Sequence, residues 1–265
     1  MNPHKILCRN DESFASHTPL RIGGNAHQWI WVYSEQELRH VMTTMIKKRW
    51  MIHWPFQDVL CREGGYQGTV IRLAGEFSKI EYTSDTIILG SAALWSQTTG
   101  PFQKSFEGWS GSVGGLFAQK NQQIQLFLKG YTLRLRWFVG TKIVEEVLEK
   151  DLTSKYQKKG ILLSLELTGK PRRRKKKPIK SGAIYSIRSK ENIADIFEQY
   201  QLNGIRLKGW LLSKKQPSRM LRIGFGTMDE LLILGRGIKE RVYKVSGKRL
   251  DIRIPIIGKE KKHVE

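Results

Sequence analysis

The apolar positions of this chain change rhythm several times. Trp29-Ile30-Trp31-Val32-Tyr33 is a short, nearly unbroken apolar run and predicts a strand, entered through a tight turn that the Gly23-Gly24 pair permits. Ser34 then reads as a helix N-cap with Glu37 three residues on, the spacing of a capping box. Leu38, Val41, Met42 and Met45 recur on one face of a helix over 35–48. The period then falls to that of strands at Trp50–His53, Val70–Leu73, Ile80–Tyr82 and Thr86–Leu89, divided by glycine-rich turns. One helix followed by several short strands predicts an α+β unit rather than a regularly alternating parallel sheet.

Residues 100–121 are punctuated by Gly108, Gly111, Gly114 and Gly115 and lead into strand-like segments at Ile124–Leu128, Tyr131–Phe138 and Ile161–Leu167. A cationic run, Arg172, Arg173, Arg174, Lys175, Lys176 and Lys177, lies between Pro171 and Pro178. Consecutive cations cannot pack inside, which predicts a solvated loop or linker. Beyond it Ala183–Ile187 reads as a strand, and Ile193, Ile196, Phe197 and Tyr200 line one face of a short helix. Ile205–Leu212 and Ser218–Gly224 are further strand candidates. Thr227 and Glu230 form a second capping box and open a helix to about Val245, which turns Leu231, Leu234, Ile238, Val242 and Val245 to a core. Gly247 ends it, and Leu250–Ile257 predicts a last strand. The expected organisation is a first region over 1–168, a basic linker or loop over 169–180 and a smaller α/β unit over 181–265.

Composition sharpens this picture mainly through charge. The formal net charge is +22, and it is unevenly placed: residues 1–150 hold 17 basic and 13 acidic side chains, residues 151–265 hold 29 and 11. A field of that sign gathers anions, whether nucleotide-sugar diphosphates, nucleic acid or acidic lipid headgroups, and does not choose among them. With 40% hydrophobic residues the chain can fill a core. No stretch approaches the ~20 apolar residues of a transmembrane segment, and the N-terminus lacks the apolar core of a signal peptide. Cys8 and Cys61 are too few for a disulfide framework and lack metal-ligand spacing, and the six histidines form no H-E-x-x-H pair. These readings predict a cytoplasmic protein with no metal site.

Six phrases, in order along residues 18–258, carry a resemblance. They are Thr18-Pro19-Leu20-Arg21-Ile22-Gly23-Gly24-Asn25-Ala26, Gly64-Gly65-Tyr66-Gln67-Gly68-Thr69-Val70-Ile71, Gly108-Trp109-Ser110-Gly111-Ser112-Val113-Gly114-Gly115, Gly182-Ala183-Ile184-Tyr185, Ala194 to Gly204, and Leu250 to Gly258. Together they resemble the UDP-N-acetylenolpyruvoylglucosamine reductases, also called UDP-N-acetylmuramate dehydrogenases, of peptidoglycan precursor synthesis. The resemblance implies an FAD-binding region of the PCMH or vanillyl-alcohol-oxidase type, followed by a smaller α/β C-terminal domain. It also implies FAD and NADPH as cofactors and a nucleotide-sugar ligand.

The resemblance also marks departures. The family's reaction passes a hydride from NADPH through FAD to an enolpyruvyl ether, and a serine then supplies a proton. Ala183 stands at the serine's position and has no proton to give, a loss worth about 10²–10⁴ in rate. A shifted alignment would make Ser181 or Ser186 the donor. Arg253 replaces the family's glutamate and reverses the local charge. Trp54-Pro55-Phe56-Gln57-Asp58 stands where a G-G-G-S-N segment cradles the FAD pyrophosphate; the rings are bulky, Pro55 has no N–H, and Asp58 adds like charge. The loop Gly111, Ser112, Val113, Gly114 and Gly115 survives, either as a remnant of the flavin site or for backbone geometry. The expected protein is an inactive relative with a binding role. A divergent working reductase is the alternative, and a third reading is nucleic-acid binding through residues 172–177.

Overall fold

The structure is a computed structural model that describes residues 6–55, 59–107, 109, 111–118, 128, 130–149, 154–169, 185–187, 193–215, 219–252 and 254–260, with backbone only at 185–187, 193 and 252. In chain order the described elements are β1 (Leu7–Ser13), β2 (Asn25–Val32), α1 (Glu35–Met45), β3 (Trp50–Ile52), β4 (Leu60–Cys61), β5 (Tyr66–Leu73), β6 (Ile80–Tyr82), β7 (Thr86–Gly90), α2 (Gln103–Phe106), α3 (Val113–Ala118), β8 (Thr132–Val139), β9 (Lys142–Leu148) and β10 (Ile161–Thr168). They continue with β11 (Tyr185–Ile187), α4 (Ile193–Gln199), β12 (Arg206–Leu207), β13 (Trp210–Leu212), β14 (Met220–Arg222), α5 (Met228–Ser246), β15 (Leu250–Ile252) and β16 (Ile256–Ile257). The chain divides into two units, the first made of 1–12, 27–57 and 68–180, the second of 13–26, 58–67 and 181–265. The second unit is therefore discontinuous. It takes two segments that a linear reading leaves in residues 1–168, because hydrogen bonds and close backbone approach, not sequence distance, decide which strands cluster.

The first unit is built on two sheets. One has the order β1-β2-β5-β3, with β3 parallel to β5 and Ile52 opposite Ile71. The other, β6-β7-β10-β8-β9, is antiparallel, and β10 lies at its centre with Leu165 opposite both Leu89 and Leu135. Leu165 and Leu167 are buried while Ser164, Glu166 and Thr168 are only half-buried, the alternation of a sheet with one face on a core. Ser34 caps α1 by accepting the Glu37 N–H at 3.2 Å, but the Glu37 carboxylate accepts the Tyr33 N–H instead of closing the expected box on Ser34. Leu38, Val41 and Met45 are buried as the pattern predicts, and Met42 is partly so. The glycine-punctuated stretch after residue 100 supplies α2 and α3 and, with Trp95, an aromatic knot. Its Trp95 and Phe106 ring centroids are 4.7 Å apart, and those of Trp95 and Trp109 are 4.9 Å apart.

Three of the six sequence phrases meet inside the second unit. A Cβ on Gly24 would lie 2.6 Å from the Arg62 carbonyl oxygen, one on Gly65 2.5 Å from that of Asn25, and one on Gly258 2.8 Å from that of Gly65. These glycines are fixed by backbone crowding. β16 runs parallel to β4, with Ile257 opposite Cys61, and Pro255 separates it from β15, so the single strand expected over Leu250–Ile257 is broken. Likewise Ile205–Leu212 is a hairpin, β12 and β13, turned at Lys208, whose φ is +46°.

Helix α5 follows its sequence signals closely at the start. Thr227 Oγ1 accepts the Glu230 N–H at 3.3 Å, and Glu230 accepts the Thr227 N–H at 3.0 Å, closing the box. Gly247, at φ +67°, ends it in the left-handed region. Leu231, Leu234, Ile238 and Val242 are buried, but Val245 is exposed, because the apolar partners of the helix run out one turn earlier.

Glu63 reaches the first turn of α5, accepting the Met228 N–H at 2.8 Å. Burial raises its pKa, and the neighbouring carboxyls of Asp229 and Glu230 add to the rise, against the pull of the Met228 hydrogen bond. For an acid whose folded pKa is raised, stability present below the unfolded pKa is lost as pH rises through the folded pKa. Glu63→Gln keeps an acceptor for Met228 and removes the charge. Its expected result is a melting temperature above wild type at pH 7.5 and equal to it near pH 4, read by thermal denaturation across that range.

Candidate functional site

Two of the marked segments come together in the first unit. His53 follows β3 and donates its N–H to the Ile71 carbonyl at 3.0 Å, which carries the chain inward, and its ring lies edge-on to Trp29 with centroids 5.3 Å apart. Trp54 comes next and is only 6% exposed. Its indole lies on the surviving glycine loop: a Cβ on Gly114 would sit 2.6 Å from Cε3 and Cζ3 of the indole, and one on Gly115 3.2 Å from the Trp54 Cβ. The space over Gly114 is taken by the tryptophan.

The loop is also occupied along its backbone. Gly111 has φ +88° and accepts the Trp95 N–H at 3.2 Å. The Val113 N–H donates to Ala93 at 3.0 Å, the Gly114 N–H to Ser91 at 2.7 Å, the Gly115 N–H to the Ser112 hydroxyl at 3.3 Å and the Leu116 N–H to the Ser112 carbonyl at 3.1 Å. A pyrophosphate cradle works by presenting unengaged N–H groups to oxygen. Here the four from 113 to 116 are already bonded within the protein. The buried Ser91 Oγ and Trp95 Nε1, close to this loop in the chain's path, have no hydrogen-bond partner among the described residues. Sequence reading missed Ser91 and Ala93, since nothing in Ser91-Ala92-Ala93 marks carbonyls that will hold another loop.

Several marked residues lie outside the described residues: Ala183, Arg253, Ser181, Phe56 to Asp58 and the run from Arg172 to Lys177. The described parts of the Ala183 and Arg253 segments nevertheless pair directly, since β11 and β15 are antiparallel with Tyr185 opposite Ile252. The structure thus joins two phrases that stand far apart in sequence.

Other chemistry is sparse. Among the described residues no group of three or more His, Cys, Asp or Glu could hold a metal ion, and no helix is long and apolar enough to cross a membrane. Cys8 is exposed; Cys61 is buried, and burial pushes its thiol up to about 12, so it stays protonated and unreactive at neutral pH. A groove of about 370 Å³ on the first unit is lined by Glu35, Glu76, Lys79, Arg136, Glu145 and Glu166 among others. Of its charges, Arg136 pairs with Glu35 at 2.9 Å and approaches Glu145 at 3.7 Å.

The fold is of the FAD-binding PCMH type with a smaller α/β part. It aligns with the crystal structure of UDP-N-acetylenolpyruvylglucosamine reductase from Thermus caldophilus at a TM-score of 0.71 and 16% identity, covering 95% of this chain and 98% of that one. By sequence the chain is similar to UDP-N-acetylenolpyruvoylglucosamine reductases along most of its length. It is 24% identical over 288 residues to the reductase of Alkaliphilus oremlandii, covering 94% of this chain and 93% of the relative. It is also 24% identical over 283 residues to that of Clostridioides difficile, with the same coverages, and 27% identical over 233 residues to that of Rickettsia akari, covering 76% and 79%. No protein-family model matches the chain.

Proposed function

We propose that this chain is a member of the family that no longer carries out the flavin reaction and acts by binding, with a nucleotide-sugar or similar anionic compound as ligand. The observation that carries this reading is the indole of Trp54 seated on Gly114, together with the bonded N–H groups of 113 to 116. The seated indole and the engaged N–H groups speak against FAD at these residues. The replacements Ala183 and Arg253, at the family's proton donor and glutamate, point the same way: a methyl group moves no proton and a guanidinium is a permanent donor. The excess of cations over residues 151–265 supports an anionic ligand.

The near full-length likeness to named reductases favours a second reading, a divergent working enzyme using Ser181 or Ser186. One experiment separates the two. Purified protein is titrated with FAD and followed through the flavin absorption bands, then assayed for NADPH oxidation with UDP-N-acetylenolpyruvoylglucosamine. The expected result is no bound flavin and no turnover. Stoichiometric FAD with turnover that Ser181→Ala or Ser186→Ala abolishes would establish the second reading.

A further inference from the structure

Residues 206–225 contain six cations, Arg206, Lys208, Lys214, Lys215, Arg219 and Arg222, and no Asp or Glu. They build the antiparallel sheet β12-β13-β14 and the turn that leads to α5. On this sheet Arg206, Leu211 and Leu221 stand opposite one another in one row. From Leu221 the chain places further apolar residues at every second position: Leu221 is 36% exposed, Ile223 44% and Phe225 98%. A scattered exposed leucine needs no explanation, but a phenylalanine almost wholly in water, continuous with two exposed aliphatics, does.

Nor is this tip a loose loop that has failed to fold inward. The Ile223 N–H donates to the Gly209 carbonyl at 2.8 Å. A Cβ on Gly209 would lie 2.2 Å from the Gly226 nitrogen, and one on Gly226 2.4 Å from Nε1 of Trp210, so backbone and indole are packed without room to spare. Trp210 is itself buried and donates its indole N–H to the Thr227 carbonyl at 2.8 Å. A rigid base thus holds an aromatic ring outward. Of the surrounding cations, Lys208 is paired with Glu230 at 3.0 Å, and Arg222 donates to the Arg21 carbonyl, which leaves its charge in place.

We propose that this sheet docks on an anionic lipid bilayer, with Phe225 and Ile223 entering the boundary between headgroups and acyl chains and the cations facing the lipid phosphates. The exposed apolar residues belong to a stretch, 206–225, with six cations and no carboxylate of its own, Glu230 answering only Lys208, and this suits a surface where burial and charge attraction act together. A single-stranded nucleic acid would use the ring of Phe225 by stacking and the cations at phosphate, but would leave Leu221 and Ile223 without a role. Lipid engages all of them. This inference stands whether or not the flavin reaction survives.

The test uses the full chain in vesicle co-sedimentation. Vesicles of phosphatidylcholine with phosphatidylglycerol are expected to bind it at least tenfold better than phosphatidylcholine alone, with the difference collapsing in high salt. Phe225→Ser should weaken binding to the anionic vesicles at least tenfold with an unchanged melting temperature, since the side chain lies in solvent. Lys214→Ser with Lys215→Ser should weaken the same binding without altering the fold. The proposal is overturned if wild type does not bind anionic vesicles, or if Phe225→Ser binds them as wild type does. Phe225-dependent binding of a single-stranded RNA, or Phe225-dependent dimerisation, in the absence of vesicle binding would equally overturn it.

Discussion

Trp54→Ala is expected to destabilise the protein by about 3–5 kcal/mol, the cost of removing a large buried aromatic and leaving its space unfilled. Few residues of the first unit should be as sensitive, because the indole covers Gly114 and Gly115 and is almost fully enclosed. Gly114→Ala attacks the same contact from the other side. Its methyl would meet the indole at 2.6 Å, and overpacking of this kind costs about 1–3 kcal/mol. In a Trp54→Ala background that methyl has room, so the double substitution should cost less than the sum of the singles by more than about 1 kcal/mol. Chemical denaturation of the four proteins measures the coupling, and strict additivity would mean that ring and glycine do not touch. FAD added to Trp54→Ala should still fail to bind, because opening the space does not release the N–H groups of 113 to 116 from Ser91, Ala93 and Ser112.

In the second unit the largest effect is expected at Trp210. Trp210→Ala should also cost about 3–5 kcal/mol. The side chain is fully buried, supports Gly226 by direct contact, and bonds the carbonyl of Thr227, the residue that caps α5. Trp210→Phe separates the two contributions. It keeps most of the apolar area and removes the hydrogen bond, so a smaller loss of about 1 kcal/mol is expected, measured in the same denaturation experiment. A loss as large as that of the alanine variant would place most of the energy in the Thr227 bond.

Much of the local structure could be read from the chain. Ser34, Thr227 and Gly247 mark their helix ends because capping is a matter of two or three neighbouring residues. Leu38, Val41 and Met45 were legible for the same reason, as a helix repeats its face every few residues. Errors came where the decisive contact lies outside the local window. Val245 continues the apolar stripe of α5 but meets no core, and the Glu37 carboxylate found the Tyr33 N–H. β9 went unread because its Glu145-Glu146 pair breaks the apolar pattern of a strand that lies at a sheet edge. The glycines of 111 to 115 marked a site, yet their sequence is the same whether their N–H groups await a ligand or are already bonded to Ser91 and Ala93.

The amino-acid sequence by itself determined the caps and amphipathic faces, the concentration of cations after residue 150, and the resemblance to the reductases. Each of these depends on residue identity or short-range spacing. Only the tertiary structure decided that segments 13–26 and 58–67 cluster with the C-terminal part, that Trp54 rests on Gly114, and that Phe225 is held in water over the Gly209–Gly226 contact. Those outcomes turn on which distant surfaces exclude one another's atoms and bond one another's backbone, and periodicity along a chain carries no record of either.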